Sequence, residues 1–191
     1  MKKIAITGGI ASGKSQVSKI IEDCGGYVIY TDKINAELLQ DSEYIKKLSL
    51  LFPEAVQNGV VDKLVIRNEI LTNDDKRLAL NSLAHSEIKQ KVDNLFKNFN
   101  GKTIFCEIPL IVESGMVGFF DEIWCVIADK DSKINRIITR DKVNSNNAKA
   151  IIDLQKRDSE LIAISNVVIE NNSDINSLRQ KVEKLYLERA K

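Results

Sequence analysis

The chain has 191 residues, 43% hydrophobic and 29% charged, enough for one domain with its own core. With 28 Lys and Arg against 27 Asp and Glu the net charge is +1, so composition gives no global electrostatic case for a nucleic-acid or membrane partner. No apolar run approaches the ~20 residues of a membrane span.

The start, Met1-Lys2-Lys3, runs into Gly8 and Gly9 without the apolar stretch of a signal peptide. Cys24, Cys106 and Cys125 lack any C-x-x-C spacing, and two of them lie in apolar runs, so buried thiols and a cytoplasmic setting are expected. In chain order, Lys3 to Thr7 (KIAIT) reads as a strand. Lys14 to Cys24 reads as a helix with Val17, Ile20, Ile21 and Cys24 on one face, stopped by Gly25 and Gly26. Tyr27 to Thr31 is a second strand, ending at Asp32. Thr103 to Ile108, stopped by Pro109, is a third, Ile123 to Ala128 a fourth, and Val167 to Ile169 a fifth. Such continuous apolar runs between helices suit an α/β fold with a parallel sheet covered on both faces.

Two insertions interrupt this alternation. Between strands two and three lie roughly seventy residues, too many for a simple crossover. Tyr44 to Leu51, Leu64 to Leu71 and Lys76 to Phe99 there carry helical patterns. Between strands four and five, Ser132 to Arg140 and Ser145 to Arg157 read as two helices joined by an Asn-rich turn. A last helix, Ile175 to Ala190, is expected to start after a Ser173 cap.

Gly8-Gly9-Ile10-Ala11-Ser12-Gly13-Lys14-Ser15 fits G-x-x-x-x-G-K-[ST] at every fixed position, between a strand and a helix. Glycines let the backbone turn tightly and aim successive N–H groups at phosphate oxygens, and the helix N-terminus adds partial positive charge. Lys14 is expected to reach the β- and γ-phosphates of a nucleotide, most simply ATP, and the Ser15 hydroxyl to coordinate Mg²⁺.

Ligands of such sheets bind beyond the carboxyl ends of the strands. Asp32 stands there, either as general base for an acceptor hydroxyl or as the cap of a helix starting at Lys33. Glu107 either holds a metal-bound water or hydrogen-bonds nearby backbone, and Glu113 reads as a capping or pairing acid. His85, the only histidine, falls on the apolar side of the long helix, where a structural role is the simpler reading. Residues 129–157 hold eight Lys or Arg against four Asp, with Lys133, Arg136 and Arg140 on one helical face. Most of that face reads as solvated charge. Arg136 and Arg140 are the candidates for phosphate contact in a lid.

Together these motifs resemble the dephospho-CoA kinase family. I-T-G-G-I-A-S-G-K-S and V-I-Y-T-D-K-I look like its phosphate loop and strand-two motif. V-D-K-L at Val61, L-N-S-L-A-H ending at His85, E-I-P-L-I-V-E from Glu107, R-I-I-T-R-D from Arg136 and V-I-E-N-N ending at Asn172 follow in order. The resemblance implies a P-loop NTPase core with a five-stranded parallel sheet flanked by helices, covering residues 1–32, 101–128 and 166–191. It further implies a helical insertion for the CoA-like substrate at 33–100 and a lid at 129–160. It implies transfer of the γ-phosphoryl group of ATP to the ribose 3′-hydroxyl of dephospho-CoA with Mg²⁺, by a monomer or weak homo-oligomer, with another small-molecule P-loop kinase, such as a nucleoside or nucleotide kinase, as the alternative. Asp32 then becomes the base and, with Glu107 as the alternative, a holder of Mg²⁺ through water beside Ser15; Lys14 and Arg140 become catalytic cations, Gln16 and Arg136 companions of the phosphate loop in ATP binding, and Asn171 and Asn172 ATP-binding residues of the loop near adenine. His85, Glu107 and Pro109 join Asp32 around the substrate. The chain departs from the family pattern at Tyr30, Gln16, Ser86, Leu161 and Asn166.

Overall fold

β1 (Lys2–Thr7) is the central strand of a five-stranded parallel sheet, and the loop after it leads into α1 (Lys14–Asp23). The chain returns as β2 (Tyr27–Tyr30), then runs through α2 (Thr31–Leu38), α3 (Ser42–Leu51), β3 (Val56–Gln57), β4 (Val60–Val61), α4 (Lys63–Thr72) and α5 (Asp74–Asn98). β5 (Thr103–Glu107), β6 (Glu122–Ile127), α6 (Lys130–Asp141), α7 (Ser145–Asp153), α8 (Asp158–Ala163), β7 (Val167–Glu170) and α9 (Ile175–Arg189) follow. This is a computed structural model, and it describes residues 1–153 and 158–190. The last four residues expected in the 145–157 helix lie outside them.

The chain divides into two units, Met1–Ile29 with Phe99–Lys191, and Tyr30–Asn98. In the first, the sheet order is β2-β5-β1-β6-β7. Ile6 stands opposite Glu107 on one side and Trp124 on the other. Alternation along the strands sends Ile4, Ile6, Phe105, Trp124 and Val126 to one face, where they form a core with Val17, Ile20 and Ile21 of α1 and Leu178 and Val182 of α9. Phe105 meets Trp124 edge-on at 5.5 Å between centroids. Ala5, Cys106 and Cys125, of opposite parity, are fully buried as well, as the continuous apolar runs require. α1 ends in a Schellman turn: Gly25, at φ 88°, donates to Glu22 O and Gly26 to Ile21 O, both at 2.9 Å.

The second unit is helical around Leu38, Tyr44, Leu48, Phe52 and Ile66. Asp41 caps α3 through Glu43 N and Tyr44 N, and Asp62 caps α4 through Leu64 N and Val65 N. Its β3–β4 hairpin was not expected. The Asn58-Gly59 dipeptide, with φ of 51° and 76°, is the two-residue type I′ signal that marks it.

Some boundaries move. β2 stops at Tyr30 and α2 begins at Thr31, so Asp32 lies inside a first helical turn and caps nothing from outside it. The helical unit accordingly spans Tyr30–Asn98, against the expected 33–100. The cap of α9 is Asp174, which accepts from Asn176 N and Ser177 N, and not Ser173. α8 was not anticipated, because its six residues are too short for a periodicity to register.

Candidate active site

The loop from Gly8 to Gly13 winds through three residues of positive φ: Gly8 at 150°, Ala11 at 56° and Gly13 at 101°. Two glycines are required by space as well as by dihedral. A Cβ on Gly8 would stand 2.2 Å from Val126 O, and one on Gly13 would stand 2.0 Å from Asn171 Nδ2. Gly13 is the N-cap of α1 and supplies no side-chain acceptor to the first turn, where Gln16 N donates to Gly13 O at 3.0 Å; the positive end of the helix faces the loop. Lys14 Nζ donates to Gly8 O at 2.8 Å and to Gly9 O at 2.9 Å, which folds the ammonium over the loop.

Below the loop, Ser15 Oγ donates to Glu107 Oε1 at 2.8 Å. Glu107 follows Phe105 by two residues and therefore shares its face of the sheet, the face that α1 covers. It is buried at the carboxyl end of β5, with half-buried Pro109 two residues beyond and exposed Glu113 in the turn that follows.

The arginines of α6 have separate tasks. Arg136 points inward: Nη1 donates to Ala11 O (3.0 Å) and Ser12 O (3.1 Å), and Nη2 to Asn171 O (2.8 Å). It thus ties the back of the phosphate loop to the end of β7. Asn171 completes the tie, with Nδ2 donating to Ser12 O at 2.8 Å and to Gln16 Oε1 at 3.3 Å. Asn172 Oδ1 accepts from Asp129 N at 2.8 Å and so fixes the start of α6. Arg140 is exposed, and its guanidinium forks onto Asp141, Nε to Oδ1 at 2.7 Å and Nη2 to Oδ2 at 2.8 Å. That hydrogen-bonded pairing holds the Asp141 carboxyl below its ordinary range and raises the Arg140 guanidinium. Lys133 leaves the basic face on which the sequence put it: it is buried, and Nζ donates to Asp158 of α8 at 2.5 Å.

α6 and α7 share an apolar cluster of Ile134, Ile137 and Ala148, against which Ile10 and Ala11 of the loop pack. Between the loop and α6 lies a cavity of about 570 Å³, lined by Gly13, Lys14, Ser15, Gln16, Arg136 and Arg140 among others, within the size range of small-molecule sites. Asn135 and Thr139 also line it. The sequence reading passed over both, although each directly precedes one of the two arginines. Gly8, Gly9, Ile10, Ala11, Ser12, Gly13, Lys14, Ser15, Gln16, Glu107, Arg136, Arg140, Asn171 and Asn172 thus all lie in the first unit.

In the helical unit, Asp32 is exposed on the first turn of α2, and Lys33 Nζ lies 4.2 Å from the centre of the Tyr30 ring. His85 is half-buried on α5, next to Ala84. Three of the departures from the family pattern have a definite place in the structure. Ser86 lies inside α5, where a proline would interrupt a 25-residue helix. Asn166 Oδ1 accepts from Ile123 N at 2.8 Å, an acceptor's task that an amide performs as a carboxylate does. Leu161 is buried on α8.

The family model described as Dephospho-CoA kinase matches residues 2–177. A dephospho-CoA kinase of Fusobacterium nucleatum is 36% identical over 183 residues, 95% of either chain. A solved structure from Thermus thermophilus superposes with a TM-score of 0.84 at 26% identity, covering 98% of this chain and 97% of that one. The dephospho-CoA kinase of Campylobacter jejuni gives 0.76, also at 26% identity and with the same coverage. A P-loop α/β core, a Ser15–Glu107 pair beneath its loop and a match over nearly the whole length agree: the chain belongs to the dephospho-CoA kinase family.

Proposed function

We infer that the chain transfers the γ-phosphoryl group of ATP to the ribose 3′-hydroxyl of dephospho-CoA, giving ADP and coenzyme A. The observation that carries the phosphoryl-transfer chemistry is the Ser15–Glu107 hydrogen bond at the foot of the Gly8–Ser15 loop. A hydroxyl and a carboxylate oxygen 2.8 Å apart suit Mg²⁺, which takes oxygen donors and keeps much of its water. Ser15 and Glu107 are the residues that would hold the ion, Glu107 through a water. When bound, it neutralises charge on the β- and γ-phosphate oxygens.

Phosphoryl transfer asks little covalent chemistry of a protein; positioning and charge stabilisation do the work. The loop N–H groups hold the β-phosphate. Lys14 gives up its two loop carbonyls and turns its ammonium to the β- and γ-phosphates. Arg140 exchanges Asp141 for the equatorial oxygens of the group in flight. Asp32 accepts the proton of the 3′-hydroxyl as that oxygen bonds to the γ-phosphorus. The bond to the β–γ bridging oxygen breaks, and ADP leaves. Gln16, Asn171 and Arg136 serve ATP by keeping the loop in its wound form, Asn172 by fixing the start of α6, and His85 and Pro109 belong to the acceptor's surroundings. We assign the reaction to the cytoplasm, where the three cysteines stay reduced; they form no disulfide among the described residues.

The test is ADP release from ATP and Mg²⁺, with dephospho-CoA, AMP or no acceptor added. Strong stimulation by dephospho-CoA is expected. A rate that no acceptor raises, or that AMP raises as much, would overturn the assignment.

A further inference from the structure

Arg136 and Arg140 stand one turn apart on the same face of α6, and both line the cavity beside the phosphate loop. Arg136 is committed, with its guanidinium on the carbonyls of Ala11, Ser12 and Asn171. Arg140 makes no such tie to the core. Its fork lies on the Asp141 carboxylate, and among the described residues neither side chain has another partner.

Asp141 occupies a poor place for a carboxylate. It is the last residue of α6, after which Lys142 turns the chain away at φ 54° and ψ 35°. That end of a helix is the negative pole of its dipole, where cations are favoured and anions are not. The helix end therefore gives the charge no support. Arg140 supplies it, and the hydrogen bonds hold the Asp141 carboxyl below its ordinary range. Arg140 lines the cavity and Asp141 does not, so Asp141 acts on the site through the arginine.

A guanidinium fork takes a carboxylate or two phosphate oxygens with the same planar geometry, and it cannot hold both in full. We propose that Asp141 is a positioning residue that competes with the nucleotide's phosphates for Arg140. It holds the guanidinium when no nucleotide is bound, yields it to ATP and takes it back as ADP leaves. The exchange leaves a carboxylate at the negative pole of α6, and that cost lowers affinity for both nucleotides. A permanently free Arg140 would instead add its charge to those of Lys14 and Arg136 around ADP and slow its departure. The proposal rests on the reading of Arg140 as a phosphate ligand.

Calorimetric titration with ATP and with ADP tests this on wild type, Asp141→Asn, Arg140→Ala and the double variant, a cycle that isolates the coupling between the two residues. Asp141→Asn keeps the shape of the side chain and removes its charge. It should tighten both nucleotides by about two- to fivefold, the scale of a solvent-exposed ion pair. In the Arg140→Ala background the same substitution should change neither. Asp141→Ala supplies a second reading without the amide's hydrogen bonds. A merely structural Asp141 would shift the urea midpoint and show no coupling to Arg140 in nucleotide affinity. An equal gain in both backgrounds would make Asp141 a plain repelling charge and overturn the proposal. Unchanged or weaker binding by Asp141→Asn would also overturn it, weaker binding meaning that Asp141 aims Arg140 at the phosphates. If Arg140→Ala by itself leaves ATP affinity and turnover at wild-type values, the reading of Arg140 fails and the competition with it.

Discussion

The Ser15 hydroxyl and the Glu107 carboxylate meet in a 2.8 Å hydrogen bond across 92 positions of sequence, at the foot of the phosphate loop. Glu107→Gln keeps an oxygen acceptor for Ser15 and removes the charge. We expect the fold to persist and the Mg²⁺ concentration for half-maximal rate to rise about tenfold or more. A Mg²⁺ titration at saturating ATP checks this, and an unchanged midpoint would remove Glu107 from the metal's surroundings.

Arg136 holds three backbone carbonyls with one planar fork, a geometry that an ammonium cannot copy. Arg136→Lys should therefore destabilise the protein by about 2 kcal/mol, the scale of hydrogen bonds to a charged group, and weaken ATP binding through the loosened loop. Urea unfolding and calorimetric titration with ATP measure the two effects. Loss of ATP affinity with full stability would mean that Arg136 touches nucleotide directly.

Arg140 is expected to act as a fixed charge. Its pairing with Asp141 holds that carboxyl below its ordinary 3.8, so the pair keeps its charge state at any pH above that value and dissolves only as pH falls through the lowered one. Arg140→Ala should thus reduce kcat by about a hundredfold, by the same factor throughout pH 6 to 9. A ratio of variant to wild-type rates that changes across that window would assign Arg140 a titrating partner.

Asp32→Asn keeps the size of the side chain and removes its basicity. We expect kcat to fall by about 10²- to 10⁴-fold, with the dissociation constant for ATP unchanged. Wild-type turnover by this variant would exclude Asp32 as the base.

The α3 cap makes a prediction about stability alone. Asp41 accepts from Tyr44 N, Lys91 Nζ and Glu43 N, and these hydrogen bonds hold its carboxyl below 3.8. A depressed folded pKa stabilises fully above the unfolded value and is lost as pH falls through the folded one. Asp41→Ala should lower the urea midpoint at neutral pH, and the gap to wild type should narrow as pH drops from about 5 to about 3. A gap that stays constant would contradict the cap's ionised form.

Much of the architecture was legible because its signals are local. Strand and helix periods, the glycine stops and G-x-x-x-x-G-K-[ST] each span a dozen residues or fewer, so the five strands, α1 and the loop could be read without tertiary information. What escaped was either very short, such as α8, or carried by a signal not weighed, such as Asn58-Gly59. The capping roles went astray at Ser173 because adjacent Ser and Asp are chemically similar, and backbone geometry alone selects Asp174.

The sequence by itself determined that a strand, a phosphate loop and a helix follow one another at Lys3 to Cys24, and which ordered motifs surround them. Tertiary structure alone decided what the polar residues do. Lys133 and Arg136 are three positions apart on α6, yet one is buried against Asp158 and the other clasps the loop, and neither choice is encoded in the helical period. Asn171 meets Gly13 and Ser12, and Glu107 meets Ser15, because parallel strands end side by side at one edge of the sheet. The physical reason is the range of the signals: periodicity reports which face of an element is apolar, whereas a hydrogen-bonded site is made where the ends of distant elements converge.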